Sequence, residues 1–350
     1  MHLPIGICLD RVGPRKVMAV CTLLTVIGLM PILFSTNWIY PLIGRGLIGI
    51  GSSAAILGTF KIIRMSFKAK HFTRMLSLSV TIGLLGAIYG GGPVSFLCGL
   101  YGYKTVVALF AGLGLLLASL TYLCIPDMSS ETPNGAILPD IKTVLTNPRV
   151  ILLCLLSGLM VGPMEGFADV WGAAFLKASY AFDANVATSL PSMIFIGMCF
   201  GAPLLSMIAE KTGYYLGTII LSGIIMCTVF ALLLTHQLNT ESIGLSFTLV
   251  GICSAYQILA IYKASTYVPE HVVGLTTAIA NMIIMSFGYA FHSTIGLVIH
   301  HYHALNPQLA FTYGISVIPV TLFVGSLGFL AMAYFEHQDK FENNALELSK

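Results

Sequence analysis

Charge is what this chain has least of. Only 9% of its 350 residues are Asp, Glu, Lys or Arg, where a soluble domain carries roughly a quarter. With hydrophobic residues at 57% and a mean hydropathy of +0.89, a water-soluble globule, a nucleic-acid binder and a disordered chain are all excluded. The eight cysteines form no CxxC pair and nearly all sit in apolar stretches. They read as buried thiols, not as a disulfide frame or a metal site. The chain also lacks a P-loop, an HExxH pair and a nucleophile elbow, so neither ATP drive nor hydrolysis in the membrane has a basis. No enzyme activity and no cofactor are expected. The first residues carry no basic n-region or small-residue cleavage site, so they do not read as a secretory leader.

What is present is a series of apolar runs. A membrane-spanning helix needs about 20 apolar residues, and ten segments qualify: 17–36, 39–63, 75–98, 104–124, 150–172, 187–209, 214–235, 242–264, 274–298 and 309–335. Residues 1–10 form an apolar stub. Ten helical residues rise only about 15 Å against a hydrocarbon core of about 30 Å, too short to span. The one long polar stretch, from Pro126 to Asn147, divides the chain in two. The predicted organisation is a first bundle over 1–124, a linker over 125–149, a second bundle over 150–335 and a polar tail over 336–350. Of the 17 Lys and Arg residues, fourteen fall on the side of Arg11, Arg15 and Lys16; only Arg45, Lys104 and Lys177 do not. The positive-inside rule makes that side cytoplasmic, and the linker and C-terminus with it.

Near the start stands Gly6-Ile7-Cys8-Leu9-Asp10-Arg11-Val12-Gly13-Pro14-Arg15-Lys16, a GxxxDRxGxRK string at the cytoplasmic end of an apolar segment. An echo of it comes 200 residues later, where Glu210-Lys211-Thr212-Gly213 repeats acid-base-x-Gly. At nearly the same offset, Gly49-Ile50-Gly51-Ser52 lines up with Gly251-Ile252-Cys253-Ser254, and that register puts Lys61 on Lys263. Two halves with matching loops are what parallel-repeat transporters show.

On these residues the chain resembles the major facilitator superfamily (MFS) along nearly its whole length. The resemblance implies an all-α polytopic fold of two pseudo-symmetric six-helix bundles, here about ten complete transmembrane helices plus a stub. It implies a gating role for Gly6, Asp10, Arg11, Gly13, Arg15 and Lys16, with Asp10 against the start of helix 11 near Gly274, where a helix N-terminus attracts a carboxylate. Glu210, Lys211 and Gly213 are the second copy of this gate. Arg45-x-x-x-Gly49-x-Gly51 in helix 4 looks like the family's second motif, with Ile48 where a Gln is usual. The resemblance further implies a complete member of 12 helices, so that helix 1 and most of helix 2 are missing from this sequence.

Ionisable residues inside spans are costly and mark function. Arg45 stands about six residues inside its helix, and Glu165 and Asp169, four apart on one helical face, lie within helix 7 in Gly162-Pro163-Met164-Glu165-Gly166-Phe167-Ala168-Asp169-Val170-Trp171-Gly172. In the family fold, helices 1, 4, 7 and 10 line the cavity, so two readings stand open. Arg45 and Glu165 form an outer gate, or Arg45 binds a substrate anion while Glu165 carries a proton. Asp169, Gln257 and Asn281 complete the cavity candidates. Gly90-Gly91-Gly92-Pro93 reads as a packing and kink element, because Ile88 breaks the antiporter pattern it otherwise suggests. His300-His301-x-His303 reads as a solvated loop.

The expected protein is a secondary active transporter of a small organic solute (an amino acid, a peptide or an organic anion) working by alternating access, with proton coupling through Glu165. Alternatives are a drug/proton efflux antiporter and a transport-inactive remnant or sensor. It is expected to be a monomer in the cell membrane, the inner membrane if bacterial, with no nucleic-acid partner.

Overall fold

Helices are the only regular structure among the described residues, as hydrocarbon demands of a backbone with no water to bond. The computed structural model describes residues 2–34, 37, 39–66, 69–126, 137–269, 272–302, 304 and 306–348. Nine of its helical segments are long and apolar enough to cross a membrane, and a bent pair makes a tenth. All ten coincide with the runs read from sequence. The chain forms two compact units, 1–136 and 137–350.

The first unit comprises α1 (His2–Val12), α2 (Pro14–Phe34), α3 (Ile39–Ser66), α4 (Ala69–Gly90), α5 (Gly92–Tyr101) and α6 (Tyr103–Cys124). Its tightest seam joins α2 and α3 and is built on glycine. Gly44, Gly51 and Gly58 recur every seven residues, so they share one face of α3. A Cβ on Gly44 would stand 2.4 Å from the Gly28 carbonyl oxygen, one on Gly51 2.3 Å from that of Cys21, and one on Gly58 2.5 Å from Met18. In lipid, helix association rests on such close approach. The α4–α5 pair is the tenth span, bent by 46° at Gly91. That is the kink expected at Gly90–Pro93, although a Cβ added at Gly90 would meet nothing within 4 Å among the described residues.

The second unit comprises α7 (Ile137–Leu145), α8 (Pro148–Leu159), a π-helical stretch (Gly162–Trp171), α9 (Gly172–Tyr180), α10 (Ala184–Ser189), α11 (Ser192–Thr212), α12 (Tyr215–Leu233), α13 (Thr240–Ser254), α14 (Tyr256–Ser265), α15 (Val273–His301) and α16 (Pro307–Leu348). Its core centres on Phe167, fully buried, with Phe175, Phe230 and Phe247 packed edge-on at 5.9, 5.2 and 5.2 Å. Two details add to the sequence reading. The polar stretch before the second bundle contains α7, a nine-residue amphipathic helix. The final helix also runs without interruption past Phe335 to Leu348, because no Pro or Gly follows to stop it.

The repeat is visible in the backbone. Gly13 ends α1 at φ 90° and Gly213 ends α11 at φ 72°. Both adopt the left-handed conformation that closes a helix, which glycine enters without penalty. The lysines at the matched positions both bond neighbouring helices. Lys61 Nζ donates to the Leu9 carbonyl at 2.8 Å, satisfying an oxygen in the last turn of α1. Lys263 pairs with Glu336 Oε1 at 3.0 Å and lies 4.9 Å from the Tyr267 ring centre. The Tyr267 hydroxyl donates to the same carboxylate, and Asn147, which caps α8, donates to the Tyr267 carbonyl at 2.9 Å. Burial, and then Glu336, push the Tyr267 phenol above its ordinary range. This cluster ties the start of α8 and the end of α14 to α16.

At another corner of the unit His236 adopts φ 58°. Its ring stacks on Phe175 at 6.1 Å and lies 5.6 Å from that of Tyr180, whose hydroxyl donates to the Leu233 carbonyl at 2.7 Å. Thr312 Oγ1 gives its proton to Gln308 O at 2.7 Å and therefore accepts from His236 Nε2 at 3.1 Å. That leaves Nδ1 as the unprotonated nitrogen, buried and without a partner among the described residues. Burial holds the imidazole below its ordinary value.

Candidate functional site

The span that carries Glu165 is broken, and its sequence explains why. Pro163 has no N–H, and its ring would clash with the carbonyl four residues earlier, at Leu159. The α-helix stops there. Met160 and Val161 turn tightly, donating to the Ser157 and Gly158 carbonyls at 3.1 and 3.3 Å. The chain then widens into ten π-helical residues, closed where Gly172 N–H reaches back five residues to Phe167 O. π-Helical segments are rare and concentrate at functional sites.

Glycine brings this broken span against α15. Gly158, Gly162 and Gly166 are spaced by four and receive Phe287 and Phe291. In the reverse direction Gly288 accommodates Glu165: a Cβ there would lie 3.0 Å from Oε2 and 3.2 Å from the Glu165 Cβ. Glu165 is thereby half-buried against the helix backbone. One turn further along α15, His292 Nε2 donates to the Glu165 carbonyl at 2.6 Å, and the His292 carbonyl accepts from Trp171 Nε1 at 3.2 Å. A carbonyl only accepts, so Nε2 carries the proton. Asp169 is exposed and within electrostatic reach of His292. The structure thus brings together Glu165, Asp169 and His292.

The neighbouring span has its own break, at Ala255 between α13 and α14. Tyr256, directly after it and fully buried, donates its hydroxyl to Ser157 O at 2.7 Å. Ser157 O is also the oxygen that takes Met160 N–H, so one hydrogen bond links the two helix breaks. Gln257 follows, 5% exposed, with Nε2 unpartnered among the described residues. Asn281 is half-buried on α15, eleven residues before His292 and seven before Gly288.

The other expected residues stand on other elements. Arg45 belongs to the first unit and is exposed on α3, on the same face as Gly49, where an added Cβ would meet nothing within 4 Å among the described residues; Gly51 is in the α2–α3 seam. Of the gating string, Gly6 is half-buried, Gly13 has its left-handed turn and Lys16 is exposed. Arg15 Nε donates to the Tyr122 carbonyl at 2.7 Å, with the guanidinium 4.4 Å from that ring's centre. The side chains of Asp10 and Arg11, and the surroundings of Gly274, lie outside the described residues, as does His303. Glu210 and Lys211 are exposed beside Gly213. No group of three metal-ligating side chains occurs among the described residues. Sequence reading missed His292 and Tyr256. The first was legible as an ionisable residue inside an apolar span; the second required knowing where both helices break.

The sequence profile of the Major Facilitator Superfamily matches residues 1–293. The chain belongs to that family. A comparison with curated proteins gave no match. Among solved structures this MFS protein is similar to the nucleoside transporter NupG, in a mutant form, with a TM-score of 0.74 at 15% identity over 95% of this chain and 86% of that one. A bacterial homologue of the human lysosomal transporter Spinster, inward-facing and occupied, gives 0.69 at 15% identity over 95% and 85%. The fucose:proton symporter FucP of E. coli, also mutant, gives 0.60 at 13% over 93% and 87%. At such identities the likeness is one of fold. The protein is an integral, multi-pass membrane transporter with the MFS fold, not an enzyme.

Proposed function

We propose that this MFS transporter moves a small organic solute of the amino acid, peptide or organic anion class by alternating access, and that Glu165 carries the coupling proton. The observation that supports this most is the setting of Glu165. It is an acid inside a span, in a π-helical stretch, pressed on Gly288 and tied through its own carbonyl to His292. An intramembrane carboxylate that costs several kcal/mol to bury in ionised form gains from taking a proton. Among proteins of similar fold, one is named a fucose:proton symporter. In this reading Arg45 holds an anionic group of the solute, and Asp169, Gln257 and Asn281 supply further polar contacts. The linker and C-terminus face the cytoplasm, and the monomer is the working unit.

The test uses purified protein in liposomes and the solute that most raises its thermal stability in a screen of amino acids, dipeptides, organic acids and sugar phosphates. Glu165→Gln is expected to abolish uptake driven by a pH gradient while sparing solute exchange. Undiminished gradient dependence would remove Glu165 as the proton site. Arg45→Ala should lose transport of anionic solutes by at least about tenfold, the scale of one lost charge-assisted contact. Normal transport would instead leave Arg45 as a residue that reaches the interface.

A further inference from the structure

In the first unit α2 and α6 lie side by side, and a groove of about 430 Å³ runs between them. Its walls are Ala19, Val20 and Leu23 from α2 and Leu115, Ser119 and Leu123 from α6. Small side chains on both helices leave the space, and the leucines form its rims. Val20 and Leu123 are 57% and 74% exposed, so the groove opens outward.

The charge at one end gives the groove a direction. Arg15, Ala19 and Leu23 are spaced by four and lie on one face of α2, so the basic pair Arg15 and Lys16 sits over the mouth. Arg15 is held there by its Nε bond to the Tyr122 carbonyl and by the Tyr122 ring. That carbonyl is among the last four of α6, which have no partner within the helix. Holding Nε in this way fixes the plane of the guanidinium. Its two terminal nitrogens bond nothing else among the described residues, and Lys16 is exposed beside them. Neither α2 nor α6 contains an acid; Asp10 and Asp127 flank them outside the described side chains. A fixed guanidinium edge next to an ammonium group matches a phosphate, and the surface below it matches a hydrocarbon chain. The reach from Arg15 to Leu23 is about 12 Å of helix, less than half of a hydrocarbon core of about 30 Å, which is the span of one leaflet.

We propose that this groove binds one anionic glycerophospholipid of the leaflet that adjoins the α1–α2 turn, with its phosphate on Arg15 and Lys16 and an acyl chain along Ala19, Leu23 and Leu115. The occupant is a lipid because the cations and the apolar walls are continuous. A free phosphate would use the cations alone, and a second copy of the chain would use the walls alone.

The experiment is native mass spectrometry of the purified full-length chain titrated with phosphatidylglycerol, phosphatidylcholine or inorganic phosphate. Each basic side chain at an anionic surface gains about fivefold, and Arg15 has one donor already engaged. Phosphatidylglycerol should therefore be retained about tenfold better than phosphatidylcholine, in one-to-one stoichiometry. Lys16→Gln, which leaves the Arg15–Tyr122 bond intact, should reduce that preference severalfold. Ser119→Leu, which fills the groove, should lower retention of both lipids. Equal retention of the two lipids overturns the proposal, as does an unchanged preference in Lys16→Gln, equally tight binding of inorganic phosphate, or dimers in place of lipid adducts. Lipid retention is read without transport, so the result is independent of the role proposed for Glu165.

Discussion

His236 shows how much one side chain's surroundings decide. Its left-handed backbone, its stack on Phe175 and its bond to Thr312 fix a neutral imidazole with the proton on Nε2, and Nδ1 faces no acceptor among the described residues. Burial lowers its pKa in the folded protein, so between that lowered value and the ordinary one of about 6.5 the unfolded chain binds more protons than the folded one. Stability is then full above about 6.5 and is lost as pH falls through the folded value. Thermal unfolding in detergent should show this loss below pH 6.5, and His236→Asn, which tolerates the same backbone, should reduce it. An identical pH dependence in the variant would exclude His236 as its source. Nothing in the sequence marks His236, because its stack and its tautomer depend on Phe175, Tyr180 and Thr312, which lie up to 76 residues away.

At the scale of elements, glycine spacing and proline placement were legible, but their partners were not. Pro163 inside a run predicts a disturbance; that the chain answers with ten π-helical residues depends on α15 closing over Gly158, Gly162 and Gly166. Likewise the four-residue spacing of Glu165 and Asp169 placed them on one face, and the wider helix keeps them neighbours. The break at Ala255 had no equivalent signal, since no Pro or Gly marks it. The bond from Tyr256 to Ser157 O joins the two breaks, and its strength can be bounded. Hydrogen bonds between helices in membranes average about 0.6 kcal/mol and reach about 1.7, and Ser157 O keeps Met160 N–H when the hydroxyl is removed. Tyr256→Phe should therefore cost about 1 kcal/mol or less in thermal stability. Its effect on the rate of solute exchange should be larger than its effect on folding if the two breaks bend together. A stability loss above about 3 kcal/mol would show that Tyr256 is chiefly a packing residue.

At the scale of the molecule, composition and the ten apolar runs already carried the fold class, because hydrocarbon permits a chain this apolar few architectures besides helices. Orientation rests on the Lys and Arg asymmetry alone. It predicts that, in a cysteine-free background, a single cysteine at Glu210 is labelled by a membrane-impermeant thiol reagent only from the cytoplasmic side, and one at Gln308 only from the opposite side. The reverse pattern would overturn the assignment. The candidate site was partly legible for the same reason that the fold was. An acid such as Glu165 stands out against an apolar span, whereas Gly288, which makes room for it, looks like any other glycine in a membrane helix.

In the second copy of the repeat, Lys263 is held by the Glu336 carboxylate. Dissolved salt screens opposite charges at the rim of a span. The hold of α14 on α16 therefore answers to the ionic strength of the solution that this rim faces.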